Sequence, residues 1–172
     1  MEELIRIPEE RIGVLIGPNG STKKKIEKKT KTNIEVDSRE GEVSISGEGE
    51  EFFKAVDIVK AIGRGFSPER ALTLLKDDYL LKIIEITDFA GKNSSNQKAK
   101  RGRVIGRKGT ARTEIEKKTH CLISVYGKTV SIIGLANEIE TATHAVELLL
   151  SGARHETMEN FLEQESKQRF EL

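Results

Sequence analysis

The chain has no tryptophan, two tyrosines and a single cysteine in 172 residues. So few aromatics argue against a surface on which bases stack on rings, the mode of RRM and OB modules. A lone Cys121 excludes an intramolecular disulfide and a cysteine-based zinc site, and a reducing, intracellular and cytoplasmic setting is the expectation. No run of 18 apolar residues exists, so nothing is expected to span a membrane. The start, Met1-Glu2-Glu3-Leu4, lacks the basic stretch and long apolar run of a signal peptide. The chain also lacks the Gly-x-x-x-x-Gly-Lys-Ser/Thr cradle that nucleotide hydrolysis requires. His120, His144 and His155 show no metal-ligand spacing and read as surface or packing residues. Asp77-Asp78 reads as a turn between a helix and a strand. No catalytic residue, metal or cofactor is expected. Charge of one sign is missing too: 29 basic and 28 acidic residues leave a net charge of +1. A bulk polycation is excluded, so what matters is where the cations sit.

Against these absences stand 36% apolar residues, enough for a core, and 33% charged residues. The length suits one medium domain or two small ones. Leu4 to Ile7 alternates as a strand and Pro8 to Ile16 suits a short helix. Gly17-Pro18-Asn19-Gly20 breaks that helix, and Ser21 to Thr30 resumes one with Ile26 inward. Asn33 to Asp37 and Val43 to Ser46 form a hairpin. Glu50 to Ile62 is a helix with Phe53, Val56, Val59 and Ile62 as the expected inner face. Ser67 caps a short helix from Pro68 to Leu75. Tyr79 to Ile86 is a strand, and Thr87 to Ala99 reads as a loop.

The pattern then restarts. Ile105, Gly106 and Gly109 lie 89 positions after Ile16, Gly17 and Gly20. At the same offset Ile115-Glu116-Lys117-Lys118-Thr119 repeats Ile26-Glu27-Lys28-Lys29-Thr30 residue for residue. Val130-Ser131-Ile132-Ile133-Gly134 matches Val43-Ser44-Ile45-Ser46-Gly47 after a shorter turn at Gly127-Lys128. Leu135 to Leu150 is the closing helix. Two homologous modules follow, each strand, helix, glycine turn, helix, strand, strand, helix. The expected class is α+β, with a three-stranded antiparallel sheet in each module covered by helices on one face. The expected boundaries are 1–66, a connector at 67–78, 79–152, and a C-terminal helix at 153–172. In that helix Met158, Phe161 and Leu162 are placed to seal one module, or to dock a protein.

Two glycines around a tight turn let backbone amides approach an anion, and the helix that follows adds partial positive charge. In the first module the candidate contacts are Ile16, Gly17, Pro18, Asn19, Gly20, Lys23, Lys24 and, for aliphatic packing against a base, Ile34. In the second they are Lys100, Arg101, Arg103, Ile105, Gly106, Arg107, Lys108, Gly109, Arg112 and Ile123. With Lys98, seven cations surround the second loop, so it is the expected main site for phosphate. Two weak sites on one chain raise each other's effective concentration if one strand reaches both.

These residues resemble KH modules of type I, which clamp about four nucleotides of single strand across the Gly-x-x-Gly loop. The connector from Arg64 to Asp78, beginning Arg64-Gly65-Phe66-Ser67-Pro68-Glu69-Arg70-Ala71-Leu72, is similar to that of the partner-of-Nob-one (dim-two) ribosome assembly factors. Two modules with no other domain resemble an archaeal member. Eukaryotic relatives carry an N-terminal extension and a degenerate first Gly-x-x-Gly, whereas Gly17 and Gly20 are intact here. The resemblance implies single-stranded RNA binding near the 3′ end of small-subunit rRNA. It also implies partnership with the endonuclease that matures that end and with other small-subunit assembly factors. Two other classes stay open at this level: a protein-docking adaptor with incidental RNA affinity, and a general single-strand binder.

Overall fold

The computed structural model describes residues 1–171; Leu172, last in the expected C-terminal segment, lies outside the described residues. The chain divides into two compact units, Met1–Leu81 and Lys82–Leu172. In the first unit the order is β1 (Glu2–Arg6), α1 (Glu9–Ile16), α2 (Ser21–Thr30), β2 (Asn33–Asp37), β3 (Glu42–Ser46) and α3 (Gly49–Gly63). The sheet order is β1-β3-β2, both pairings antiparallel. The β-α-α-β-β-α order expected from the sequence is what forms. Alternation places Ile5, Ile34, Val43 and Ile45 under the helices, where all are buried. Ile12, Leu15, Ile26, Ile58 and Ile62 meet them from the helix side, each worth about 1.5–3 kcal/mol on burial.

Phe53 departs from expectation. It is 57% exposed, while its neighbour Phe52 is 3% exposed. Steps of three residues each fall about 60° short of a full helical turn, so 53, 56, 59 and 62 cannot share one face. The buried stripe runs instead through Phe52, Ala55, Val56, Val59 and Ile62. After α3 come α4 (Pro68–Ala71), capped by Ser67 Oγ accepting from Arg70 N, and a 3-10 turn at Leu72–Leu75. Asp77 is tied to Lys54 Nζ at 2.9 Å, and Asp78 takes φ +70°, so the pair makes the turn the sequence suggests.

The second sheet holds β4 (Tyr79–Glu85), β5 (Leu122–Tyr126) and β6 (Thr129–Leu135) in the order β4-β6-β5. Its helices are α5 (Thr87–Ala90), α6 (Ser94–Ile105), α7 (Thr110–Thr119), α8 (Ala136–Leu150) and α9 (His155–Glu171). The expected loop from Thr87 to Ala99 is therefore mostly helix. Asn93 Oδ1 caps α6 by accepting from Asn96 N at 3.1 Å, and buried Gln97 donates to Gly91 O at 2.7 Å. Only Val104 of α6 is apolar and buried, so no hydrophobic period marks the helix. Good helix formers and an Asn cap carry it instead.

The shared pentapeptide has a structural reason at three of its five positions. Ile26 and Ile115 are fully buried. Glu27 Oε2 accepts from Ile34 N at 2.9 Å, and Glu116 Oε2 from Ile123 N at 2.8 Å. Thr30 and Thr119 each donate to a carbonyl one turn back, both at 2.7 Å. The carboxylates thus tie α2 to β2 and α7 to β5, the edge strands of the two sheets. Cys121 is buried behind this tie, and burial pushes its thiol up to about 11, so it stays protonated at neutral pH.

Met158 and Leu162 of α9 are buried in the second core, and the Phe161 ring lies tilted against His144 with ring centres 4.4 Å apart. Helix α9 therefore packs on the second unit, against α7 and α8. There Glu114 of α7 meets Glu159 of α9. Burial first, then the Glu159 charge and a hydrogen bond from it, push the Glu114 carboxyl above its usual value, against Lys118 and His155. A raised carboxylate pKa means that the folded chain holds the proton more tightly than the unfolded one. Ionised Glu114 thus weakens the fold at neutral pH, and the penalty fades as pH falls through the folded value. Glu114→Gln is expected to raise the melting temperature at pH 7, with the gain gone by about pH 4. Glu116→Ala leaves the Ile123 amide without its acceptor and is expected to cost about 1–3 kcal/mol. Urea unfolding at constant m-value measures it.

Candidate nucleic-acid interface

A short 3-10 turn joins α1 to α2 at Pro18–Gly20 and α6 to α7 at Arg107–Gly109. The chain enters through Gly17 (φ +73°, ψ 174°) or Gly106 (φ +75°, ψ 176°), a region closed to residues with a Cβ. Space forbids a side chain as well. A Cβ would lie 2.8 Å from Thr22 N in the first unit and 2.7 Å from Ala111 N in the second. The turn passes through Asn19 and Lys108, both left-handed at φ +54° and +53°. Asn adopts that region readily; Lys does so at a cost.

The amides divide between the fold and the loop surface. Gly17 N and Gly106 N each end their helix by donating to a carbonyl four residues back, both at 2.9 Å. Gly20 N closes the first turn onto Gly17 O at 3.1 Å, and Gly109 N the second onto Gly106 O at 3.2 Å. Between them stand Arg107 N–H and Lys108 N–H in the second loop. The first loop has only Asn19 N–H, because Pro18 carries no proton on nitrogen. Neither α2 nor α7 has an acidic residue in its first turn, so its own side chains leave the positive helix end unopposed.

In the second unit two guanidinium groups reach from the helices to the edge strand and its turn. Arg101 Nη1 donates to Gly127 O at 2.7 Å, and Arg112 Nη1 to Ile123 O at 3.4 Å, with Glu116 3.5 Å from Arg112. Arg107 and Lys108 are exposed at the turn, and Lys100 is half-buried on α6. In the first unit the position matching Arg101 is buried Ile12. Lys23 stands where Arg112 does and pairs with Glu27 at 3.1 Å, while Lys24 is exposed. The first helix there opens with Glu9 and Glu10, opposite in sign to Lys98.

Three candidates sit elsewhere than expected. The side chains of Ile34 and Ile123 are in the cores, 1% and 0% exposed, so aliphatic contact along the strand falls to half-buried Val36 and Val125. On the helices it falls to half-buried Ile16 and exposed Ile105. Arg103 is committed to the fold: its Nε donates to Leu149 O at 2.9 Å and its Nη2 to Ala153 O. Arg11 brackets the equivalent carbonyls, Ile62 O at 2.8 Å and Phe66 O at 2.7 Å. Its place in the repeat matches Lys100, not Arg103. The sequence reading missed Glu27 and Glu116 as supports of the groove; their identity within the repeated pentapeptide was the available signal.

Two alanine substitutions separate the glycines' roles. Gly106→Ala meets both a closed backbone region and the Ala111 amide, whereas Gly109 is left-handed with nothing within 4 Å of its Cβ position. Gly109→Ala is expected to cost about 1–2 kcal/mol and Gly106→Ala clearly more, in the same thermal or urea unfolding assay.

A family model described as eukaryotic type KH-domain (KH-domain type I), built for the second such domain of PNO1, matches residues 80–167. A general KH domain model matches residues 2–61. The chain is 45% identical to a KH domain-containing protein of Methanocaldococcus jannaschii, over 99% of this chain and 78% of that one. It is similar to the Dim2p chain in a crystal structure of an a/eIF2alpha–aDim2p–rRNA complex from Pyrococcus horikoshii OT3. The TM-score is 0.92 and the identity 47%, over 98% of this chain and 95% of that one. The pre-rRNA-processing protein PNO1 of Debaryomyces hansenii is 31% identical over 58% of this chain, which spans 40% of that relative.

Proposed function

The chain belongs to the Dim2/PNO1 family of tandem KH proteins, and we propose that it is a non-catalytic RNA-binding factor of small-ribosomal-subunit assembly. It holds single-stranded small-subunit rRNA near the 3′ end, with the loop Gly106–Gly109 as the main clamp. The observation that carries this reading is the second loop itself. Two exposed cations, two loop N–H groups and the α7 N-terminus converge there, flanked by Arg101 and Arg112 on the groove toward β5. Phosphate would sit on the loop and helix end, and bases would pass between the helices and the aliphatic edge at Val125. A relative of known structure was crystallised with rRNA and a/eIF2alpha, and a fungal relative is a pre-rRNA-processing protein; both support an rRNA ligand.

The first loop is a weaker, secondary site in this reading. It offers one N–H fewer, no cation in the turn and an acidic helix start. A pre-rRNA endonuclease and other assembly factors are the proposed protein partners, in the cytoplasm. Among the described residues no helix is long and apolar enough to cross a membrane.

Binding to a single-stranded oligonucleotide with the small-subunit 3′ sequence, followed over a salt series, tests the reading. The double variant Arg107→Asp, Lys108→Asp is expected to lower the slope of log affinity on log salt by about 1.4, the loss of two phosphate contacts to single strand. Pro18→Asp with Asn19→Asp is expected to lower it less. Unchanged affinity in the Arg107/Lys108 variant overturns RNA clamping at this loop. Equal affinity for unrelated sequences at fixed salt would mark a general single-strand binder.

A further inference from the structure

The shared pentapeptide leaves two positions outside both the core and the strand tie. Ile, Glu and Thr are accounted for by core, strand tie and carbonyl contact. Lys28-Lys29 and Lys117-Lys118 are exposed in both units. They sit in the last turn of α2 and α7, where a cation gains from the helix dipole. That gain asks for a cation but not for the groove beside it. On α7 a surface groove of about 470 Å³ is lined by Lys108, Thr110, Thr113, Glu114, Lys117 and Lys118. It begins at the glycine turn and runs along the face that does not carry Arg112 and Glu116, the residues that reach β5. Three lysines and two hydroxyls face one acid there, and that acid is engaged with Glu159 of α9. The matching face of α2 holds Ser21, Lys24, Lys25, Lys28 and Lys29, all exposed, so both repeats keep it basic.

We propose that this outer face of α7 binds the phosphodiester backbone of the nucleotides flanking those held in the clamp. The strand then turns around Lys108 and continues along Lys117 and Lys118 instead of leaving the protein at the loop. No aromatic side chain lines the groove, so a base has no ring to stack on there; the lysine stems form its walls and the ammonium groups are what it offers a strand. Its contacts are sequence-independent: lysines act on phosphate as point charges, and the Thr113 hydroxyl adds a donor, while that of Thr110 is given to Arg107 O at 2.7 Å. The inference rests on the clamp reading above.

Two oligonucleotides test it: a tetranucleotide that fills the clamp alone, and a 12-mer carrying the same four bases at its centre. Affinities of the full chain are measured by competition over a salt series. The Lys117→Gln, Lys118→Gln variant is expected to lose about 1.4 in salt slope on the 12-mer, with the tetranucleotide unchanged. Thr113→Lys, which copies Lys24 of the first unit, is expected to gain about 0.7 on the 12-mer alone. Equal losses on both oligonucleotides would mean that the lysines act through helix stability, and would overturn the proposal. So would an unchanged 12-mer slope in both variants. If Arg107→Asp, Lys108→Asp also leaves both oligonucleotides unaffected, the clamp reading has failed as well. If that variant loses binding while the Lys117/Lys118 and Thr113 variants change nothing, only the outer track is wrong.

Discussion

A carboxylate held between a helix and the first amides of an edge strand sets the groove in each unit. An edge strand exposes a row of N–H and C=O groups on its outer side. Left alone it would be free to shift against the helices. Glu27 and Glu116 take the amide of Ile34 and Ile123, which fixes the strand's distance from the second helix. The same carboxylates pair with Lys23 and Arg112 one turn earlier on their own helices. One acidic residue thus orients both the backbone and a cation. The glycine turn lies at the other end of that helix, so its amides are aimed by the same constraint.

The two units share this frame and differ in what stands on it. Position by position, Ile12, Pro18, Asn19 and Lys23 of the first unit correspond to Arg101, Arg107, Lys108 and Arg112 of the second. Each change adds a charge, or replaces a point charge by a fork of donors, and only the first touches the core, where buried Ile12 gives way to half-buried Arg101. Pro18 also removes an N–H at the place where an anion would approach. Duplication preserved the scaffold while polarity diverged, so charge density gathers in one loop while the whole chain stays near neutrality.

Most of the architecture was legible because it is written twice. A weak turn signal became strong when Gly17 and Gly20 recurred as Gly106 and Gly109 with the same helix and hairpin after them. Period alone served less well. Three-residue spacing, which drifts around a helix, points Phe53 inward, whereas the structure leaves it exposed. The first half of α6, up to Ala99, reads as loop because Ser94–Ile105 has almost no apolar face. The repeat held the correction: the first helix, Glu9–Ile16, maps onto Lys98–Ile105. Of the candidate site, the turn geometry and the exposed loop cations were legible, but not the inward direction of Arg103, Ile34 and Ile123. Sequence gives the kind of side chain and not its direction, and these three point into the fold.

The arginine brackets show what a duplicated fold inherits. Arg11 and Arg103 hold equivalent pairs of carbonyls, Ile62 with Phe66 and Leu149 with Ala153, at the C-terminal end of the closing helix and just beyond it. Yet they start from different places, about one helical turn apart in register. The destination was kept and the point of departure moved. A guanidinium on a long flexible stem permits such a substitution where a short side chain would not. Ancestry between the two halves is therefore recorded here in the atoms that are reached, and a column-by-column alignment would score the two arginines as unrelated.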